Sequence, residues 1–320
     1  MLTIRQDPTT VLETGHSGNM YTVVFHPDGT HLFGGSNDGI QRWGLGDGQG
    51  LGKQTEMVLR AISASRDQKW IVCGTTSGAS IWDAELREKG IDVEGKNTVY
   101  AVDVSPDSTS FATGTERSGA SIWSISSGER LVGPLEHVNS VTGVRFSPDG
   151  EHIATVCFAG TVHVFDSRTG RELTTITTTT PSVLIITPLA WSNDGQQIFV
   201  VSDDNNVKCF EVSTGSLLAQ SQTLDGGDVE SIALATGGKF IATYAGNTIY
   251  FLDASTLTQI SLAVKDSTTI YSIALSLDSS YLATGGHGGR VVIRKLVNIL
   301  PDFYGHSHVV SIWPPFRLLR

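Results

Sequence analysis

The chain has 320 residues, 39% hydrophobic and 17% charged, long enough to bury a sizeable core. With 32 Asp and Glu against 22 Lys and Arg, its formal net charge is −10, which disfavours general binding of nucleic acid or of an anionic membrane. Cys73, Cys157 and Cys209 form no C-x-x-C pair and, being odd in number, no disulfide framework; a reducing compartment, cytoplasmic or nuclear, fits them, and no apolar run reaches membrane-spanning length.

The first residues, MLTIRQDPTT, lack the apolar centre of a signal peptide, and no Asn-x-Ser/Thr acceptor occurs. TTVLETGH at 9–16 reads as a first strand. Next come TVVF, the turn FHPDG at 25–29, the run HLFGG, and a third run closing on Trp43. GLGDGQGLGKQT at 44–55 follows, and its glycines and lysine invite a phosphate-binding reading. The register rejects it. A P-loop needs Gly five residues before Gly52, where Asp47 stands, and a hydroxyl after Lys53, where Gln54 stands. The pattern G-x-G-x-x-G fails in every frame as well. The stretch occupies the place of a fourth strand, and its glycines predict a degenerate or mobile outer edge.

The first turn recurs down the chain. FSPDG returns at 146–150, with looser copies SRDQ at 65–68, SPDS at 105–108, SNDG at 192–195, ATGG at 235–238 and SLDS at 276–279. The equivalent turn residues are Asp28, Asp67, Asp107, Asp149, Asp194, Gly237 and Asp278, so successive gaps are 39, 40, 42, 45, 43 and 41 residues. A β-rich run precedes each turn and a second follows it. A third ends in SIWD at 80–83, SIWS at 121–124, VHVFD at 162–166 or VKCFE at 207–211. A fourth, more variable run leads to the next copy. No segment carries a sustained 3.6-residue apolar stripe. A four-stranded sheet of this size cannot bury both faces alone, but seven stacked around an axis shelter one another. The prediction is one all-β domain over 1–320, a seven-bladed β-propeller of four-stranded antiparallel blades.

The repeat resembles the WD-repeat family of propellers over roughly residues 12–296. The resemblance rests on the period, the S-P-D-G turn, Gly-His dipeptides and a Trp or Phe closing the third strand. It implies that the N-terminal strand at about 9–16 completes the last blade and closes the ring. ILPDFYGH at 299–306 resembles the same element and SHVVSIWP the start of another repeat. About 300–320 is therefore expected to be a surface tail or a vestigial repeat. The resemblance also implies a buried hydrogen-bonded set, supplied in the first repeat by His16, Ser36, Asp38 and Trp43, with Asn37 as an alternative to Asp38. Later repeats depart from it. Ala159 and Phe165 stand at the Asp and Trp positions of the fourth, and Leu252 and Arg294 replace Trp in the sixth and seventh. Such blades are expected to be held mainly by apolar packing.

Catalytic signals are weak. His306 and His308 have no third ligand at useful spacing, so no metal site and no cofactor is expected. The cysteines fall on predicted strands as structural thiols. The Thr-rich TTITTTTPS at 174–182 reads as an outer strand running into a loop, G-x-S-x-G is absent, and His16 with Asp38 belongs to the structural set. Contact residues are better candidates. In WD-repeat propellers partners often dock on the face that carries the loops before the first strand and after the second. Aligned on their turns, the repeats place Tyr21, Arg60, Tyr100, Thr142, Thr187, Glu230 and Tyr271 early in the first strand, facing that side. Blades seven, one and two adjoin in a closed ring, so Tyr271, Tyr21 and Arg60 should lie side by side, in residue types enriched at interface hot spots. The turn after the second strand adds Asn37, Glu116, Phe158, Asp203 and His287. The expectation is a non-catalytic scaffold, a monomer or a member of a larger complex, that binds a protein or peptide through one face. Two alternatives stand beside it: a hydrolase or lyase using the central channel, and a propeller that reads a small ligand or sugar.

Overall fold

The computed structural model describes residues 10–304 apart from 13, 55–56, 88, 94–96, 118, 159, 179–188 and 203. The described residues form seven four-stranded antiparallel sheets. Their inner strands are Met20–Phe25, Leu59–Ala64, Val99–Val104, Val141–Phe146, Leu189–Trp191, Val229–Leu234 and Ile270–Leu275. Each runs to a turn at the predicted Asp or Gly position and pairs with the strand that follows it. These are the blades of a seven-bladed propeller. Thr10–Leu12 completes the seventh sheet, pairing Thr10 with Ile293, Val11 with Val292 and Leu12 with Val291. The ring is therefore closed by the N-terminal strand.

The core sits between blades rather than inside any one of them. Leu12, Met20 and Trp43 pack with Ala283 and Ile293 across the seventh and first blades. Phe240, Tyr244 and Phe251 pack with Ile270 and Leu282 across the sixth and seventh. Close approach depends on small residues in the second strands. A Cβ added at Gly74 would come within 3.0 Å of Val99 in the next blade, and one at Gly114 within 2.8 Å of Val141.

Two expectations need correction. The first blade does have a full outer strand, Gly50–Gln54, which pairs Ile40 with Gln54, Gln41 with Lys53, Arg42 with Gly52 and Trp43 with Gly50. Its glycine makes room: a Cβ on Gly50 would lie 2.7 Å from Gln41 Nε2, a buried side chain that the blade uses. The seventh blade is not held by apolar packing alone. Arg294 is buried and donates to Asp266 Oδ2 at 2.7 Å and to Thr284 Oγ1 at 3.0 Å. Beyond the last blade, Pro301–Tyr304 forms one helical turn, with Phe303 5.8 Å from the Phe240 ring. His306, His308 and the remainder of the tail lie outside the described residues, as do Thr187 and Asp203.

Candidate functional site

The channel-mouth residues share a backbone cause. In the first blade Met20 pairs with Ser36 and Thr22 with Gly35, so Tyr21 is an extra residue on its strand. The same register shift falls at Arg60, Tyr100, Thr142 and Tyr271, and in blade six Glu230 and Ser231 stand opposite the single residue Tyr244. A bulge leaves its residue unpaired and re-aims the side chain. Here it turns Tyr21, Arg60, Tyr100, Thr142 and Tyr271 into the wall of the central channel, a cavity of about 640 Å³.

Three of these side chains form a contiguous group. The Tyr21 and Tyr271 rings are 5.9 Å apart at an interplanar angle of 50°, and the Arg60 guanidinium carbon lies 5.4 Å from the Tyr21 centroid. All three are half-buried. The guanidinium over the ring face is a cation–π contact, which leaves the remaining donors of Arg60 for another acceptor. Tyr100 follows in the next blade and Thr142, which is buried, in the one after. Glu230 lies outside the channel wall. Burial raises its carboxyl above the ordinary value, Asp228 adds to this, and the Tyr244 hydroxyl at 3.5 Å works against it.

Asn37, Glu116, Phe158 and His287 lie outside the channel-lining ring, on the turns after the second strands. Asn37 and His287 are exposed, whereas Glu116 and Phe158 are half-buried. They share the face with the Tyr21 group but do not extend its contiguous surface around the mouth.

The first-blade set comes together through a residue that the sequence reading missed. Ser36 Oγ is 2.7 Å from His16 Nδ1 and accepts from the Asp38 N–H at 2.9 Å. Asp38 Oδ2 accepts from the Ser17 N–H at 2.8 Å and the Gly18 N–H at 3.3 Å, and lies 3.9 Å from His16. The Ser17 N–H is the first reason that the Asp38 carboxyl sits below its usual value. Asp38, rather than Asn37, thus caps the loop. With its amide turned to satisfy both ends, Gln41 donates to His16 Nε2 at 3.2 Å and accepts from Trp43 Nε1 at 3.3 Å.

On the far side, His26, Asp28 and His31 bring three potential metal-ligand atoms within 4.8 Å of one another. The spacing H-x-D-x-x-H was the available signal. Asp28 Oδ2 lies 2.8 Å from His26 Nδ1 and 2.5 Å from His31 Nδ1. Arg42 donates to His31 Nε2 at 2.9 Å, which places the imidazole proton on Nδ1, toward Asp28. As arranged, the group is a hydrogen-bonded turn, because ligation would require that proton to leave.

Along the channel, Asp103 is the one carboxylate among the described lining residues. It accepts from the Phe146 N–H at 2.8 Å and from Arg145 at 3.2 Å. Burial raises its pKa while Arg145 pulls the other way. A lone carboxylate tied up in this way offers no acid–base pair.

Comparison with known proteins places the chain among repeat propellers. Residues 6–40 match the family "WD domain, G-beta repeat", and residues 117–187 match the "Anaphase-promoting complex subunit 4 WD40 domain". Residues 158–298 match the family described as "Outer membrane protein assembly factor BamB". Transcription initiation factor TFIID subunit 5 of Caenorhabditis elegans is 24% identical over 232 residues, 69% of this chain and 35% of that protein. Eukaryotic translation initiation factor 3 subunit I of Debaryomyces hansenii is 30% identical over 178 residues, 51% of this chain and 50% of that protein. Small ribosomal subunit protein RACK1 of Drosophila melanogaster is 26% identical over 159 residues, 46% and 48% of the two chains. The matches span half or less of each of these relatives' own length. Among the described residues, no helix is long and apolar enough to cross a membrane.

Proposed function

The chain belongs to the WD-repeat family, and from that premise we propose that it is a non-catalytic platform binding a protein or peptide where Tyr21, Arg60, Tyr100 and Tyr271 surround the channel mouth. The observation that carries this reading is the bulge shared by the inner strands of six blades. It presents two tyrosines and an arginine together, half-buried and held by ring contacts. Tyr and Arg bury large area while keeping hydrogen-bonding capacity, and a pre-arranged group loses little freedom on docking. The named relatives are subunits of a transcription factor and of a translation factor, and a protein of the small ribosomal subunit. By analogy this chain would act as one member of an assembly, in the cytoplasm or nucleus. A hydrolase or lyase reading of the channel is less well supported, since Asp103 is the one carboxylate among the described lining residues.

The test is affinity capture from the native cell with wild type and Tyr21→Ala/Tyr271→Ala side by side. Both side chains sit on bulge residues outside the regular strand pairing, so the double variant should fold with an unchanged melting profile. Its affinity for the captured partner, re-measured with purified components, should fall at least about tenfold, the scale of hot-spot truncation. Capture at equal yield and equal affinity would remove the patch from consideration.

A further inference from the structure

Blade four carries a thiol set among proton-handling groups. Cys157 ends the strand His152–Cys157 and is fully buried. Its Sγ lies 2.9 Å from Thr161 Oγ1, which begins the next strand, and the same hydroxyl is 3.2 Å from His163 Nε2. His163 Nδ1 is 3.0 Å from Glu172 Oε1, and Thr175 donates to that same carboxylate oxygen. Facing a carboxylate, Nδ1 carries the proton. Nε2 is left as the acceptor on the side of Thr161 and the thiol. Thiol, imidazole and carboxylate thus follow one another across three adjacent strands, in the order that activates a nucleophile. Thr161 and His163 are half-buried and Glu172 is exposed, so solvent reaches the residues next to the sulfur.

The imidazole and this thiol are linked. A hydrogen bond with the Cys157 thiol is the first cause holding His163 above the ordinary imidazole value; burial opposes it, and Glu172 adds to it. Among the described residues His137 also stands close, its ring centre 4.9 Å from that of His163. Its Nδ1 donates to the Leu135 carbonyl at 2.7 Å, and burial pushes its pKa down to about 4, so it stays neutral. Burial alone raises Cys73, and burial pushes Cys209 up to about 11.

We propose that Cys157 is a modification site for hydroperoxides and small electrophiles, with His163 as its proton acceptor and Glu172 as the residue that orients His163. In the peroxide reaction His163 takes the thiol proton. The thiolate attacks one peroxide oxygen, the S–O bond forms as the O–O bond breaks, and sulfur is oxidised by two electrons to sulfenic acid. The departing oxygen is reduced and, with the proton from His163, leaves as water from hydrogen peroxide or as an alcohol from an organic hydroperoxide. This chemistry does not depend on the docking patch.

The full chain is treated with hydrogen peroxide plus dimedone in one arm and iodoacetamide in another, from pH 5 to 9. Each cysteine is followed over time by peptide mass spectrometry. Cys157 should be modified at least about tenfold faster than Cys73 and Cys209 at pH 7, because it alone of the three has an imidazole placed to take its proton. His163→Gln should abolish the advantage. Glu172→Gln, a change at an exposed position, should leave the fold intact and shift the rate profile to higher pH. Equal rates at the three cysteines, an unreactive Cys157, or an unshifted profile in Glu172→Gln would overturn the assignment.

Discussion

The first and seventh blades solve one structural problem with opposite chemistry. Trp43 pairs with Leu32 and Arg294 pairs with Leu282, so the two occupy equivalent positions on their third strands. His16 and Asp266 each stand twelve residues before the turn aspartate, Asp28 and Asp278. In blade one a neutral side chain, Gln41, links the loop histidine to the tryptophan. In blade seven a guanidinium reaches the loop carboxylate directly, 2.7 Å away, and Arg290 stands 3.6 Å from its other oxygen. In these two blades the position is tied to the loop before the first strand, by a neutral link in one and an ion pair in the other, whereas Trp82 and Trp123 at the same place donate within their own blades, to Ser80 Oγ and Thr113 Oγ1. Blade six, with the buried Leu252 in the same place, makes no such bond through that side chain.

The comparison breaks most sharply at Arg294. Arg294→Leu leaves the Asp266 carboxylate buried without its main partner, and should cost about 3–5 kcal/mol in urea unfolding. Adding Asp266→Asn should recover much of that loss, because the buried charge is then gone. A double variant as unstable as the single would show that the ion pair is not what holds the blade. In blade one, Trp43→Phe keeps the apolar bulk but loses the indole N–H, and should cost about 2 kcal/mol. Equal losses in the two blades would show that the neutral and ionic bonds contribute alike.

The smallest effect is one of pH. Burial alone would raise the Asp266 carboxyl, but Arg294, the Ser267 N–H and Arg290 more than offset it, so its folded-state pKa is lowered. The unfolded chain then binds a proton at higher pH than the folded one. The contribution of Asp266 is present above the unfolded value of about 3.9 and is lost as pH falls through the folded value. Wild type should accordingly lose more stability between pH 5 and pH 2 than Asp266→Asn. Parallel curves for the two proteins would refute the linkage.

The architecture was legible because it repeats. Turns at Asp28 through Asp278 mark the blades at nearly constant spacing, and a ring of seven makes Tyr271 and Tyr21 neighbours although they stand 250 positions apart in sequence. The bulge was not legible, since one extra residue opposite a strand leaves no mark on apolar alternation. Nor was the use of Gly50: a glycine reads as weakness until the Gln41 amide is found filling the space. Arg294 read as the loss of a tryptophan, because its partner lies 28 residues upstream on a loop with no pattern to link them. Cys157, His163 and Glu172 stand on three successive strands, and only the register reveals that they meet.

The closing strand has a consequence for how the wheel comes apart. Three residue pairs, Thr10 with Ile293 through Leu12 with Val291, join stretches of chain about 280 positions apart, whereas every other strand in the seven sheets is zipped to a neighbour nearby in sequence. Unfastening that short clasp exposes two flanks while leaving each remaining hairpin intact. The molecule therefore has a natural seam, where it can spring open before any of its spokes dissolve.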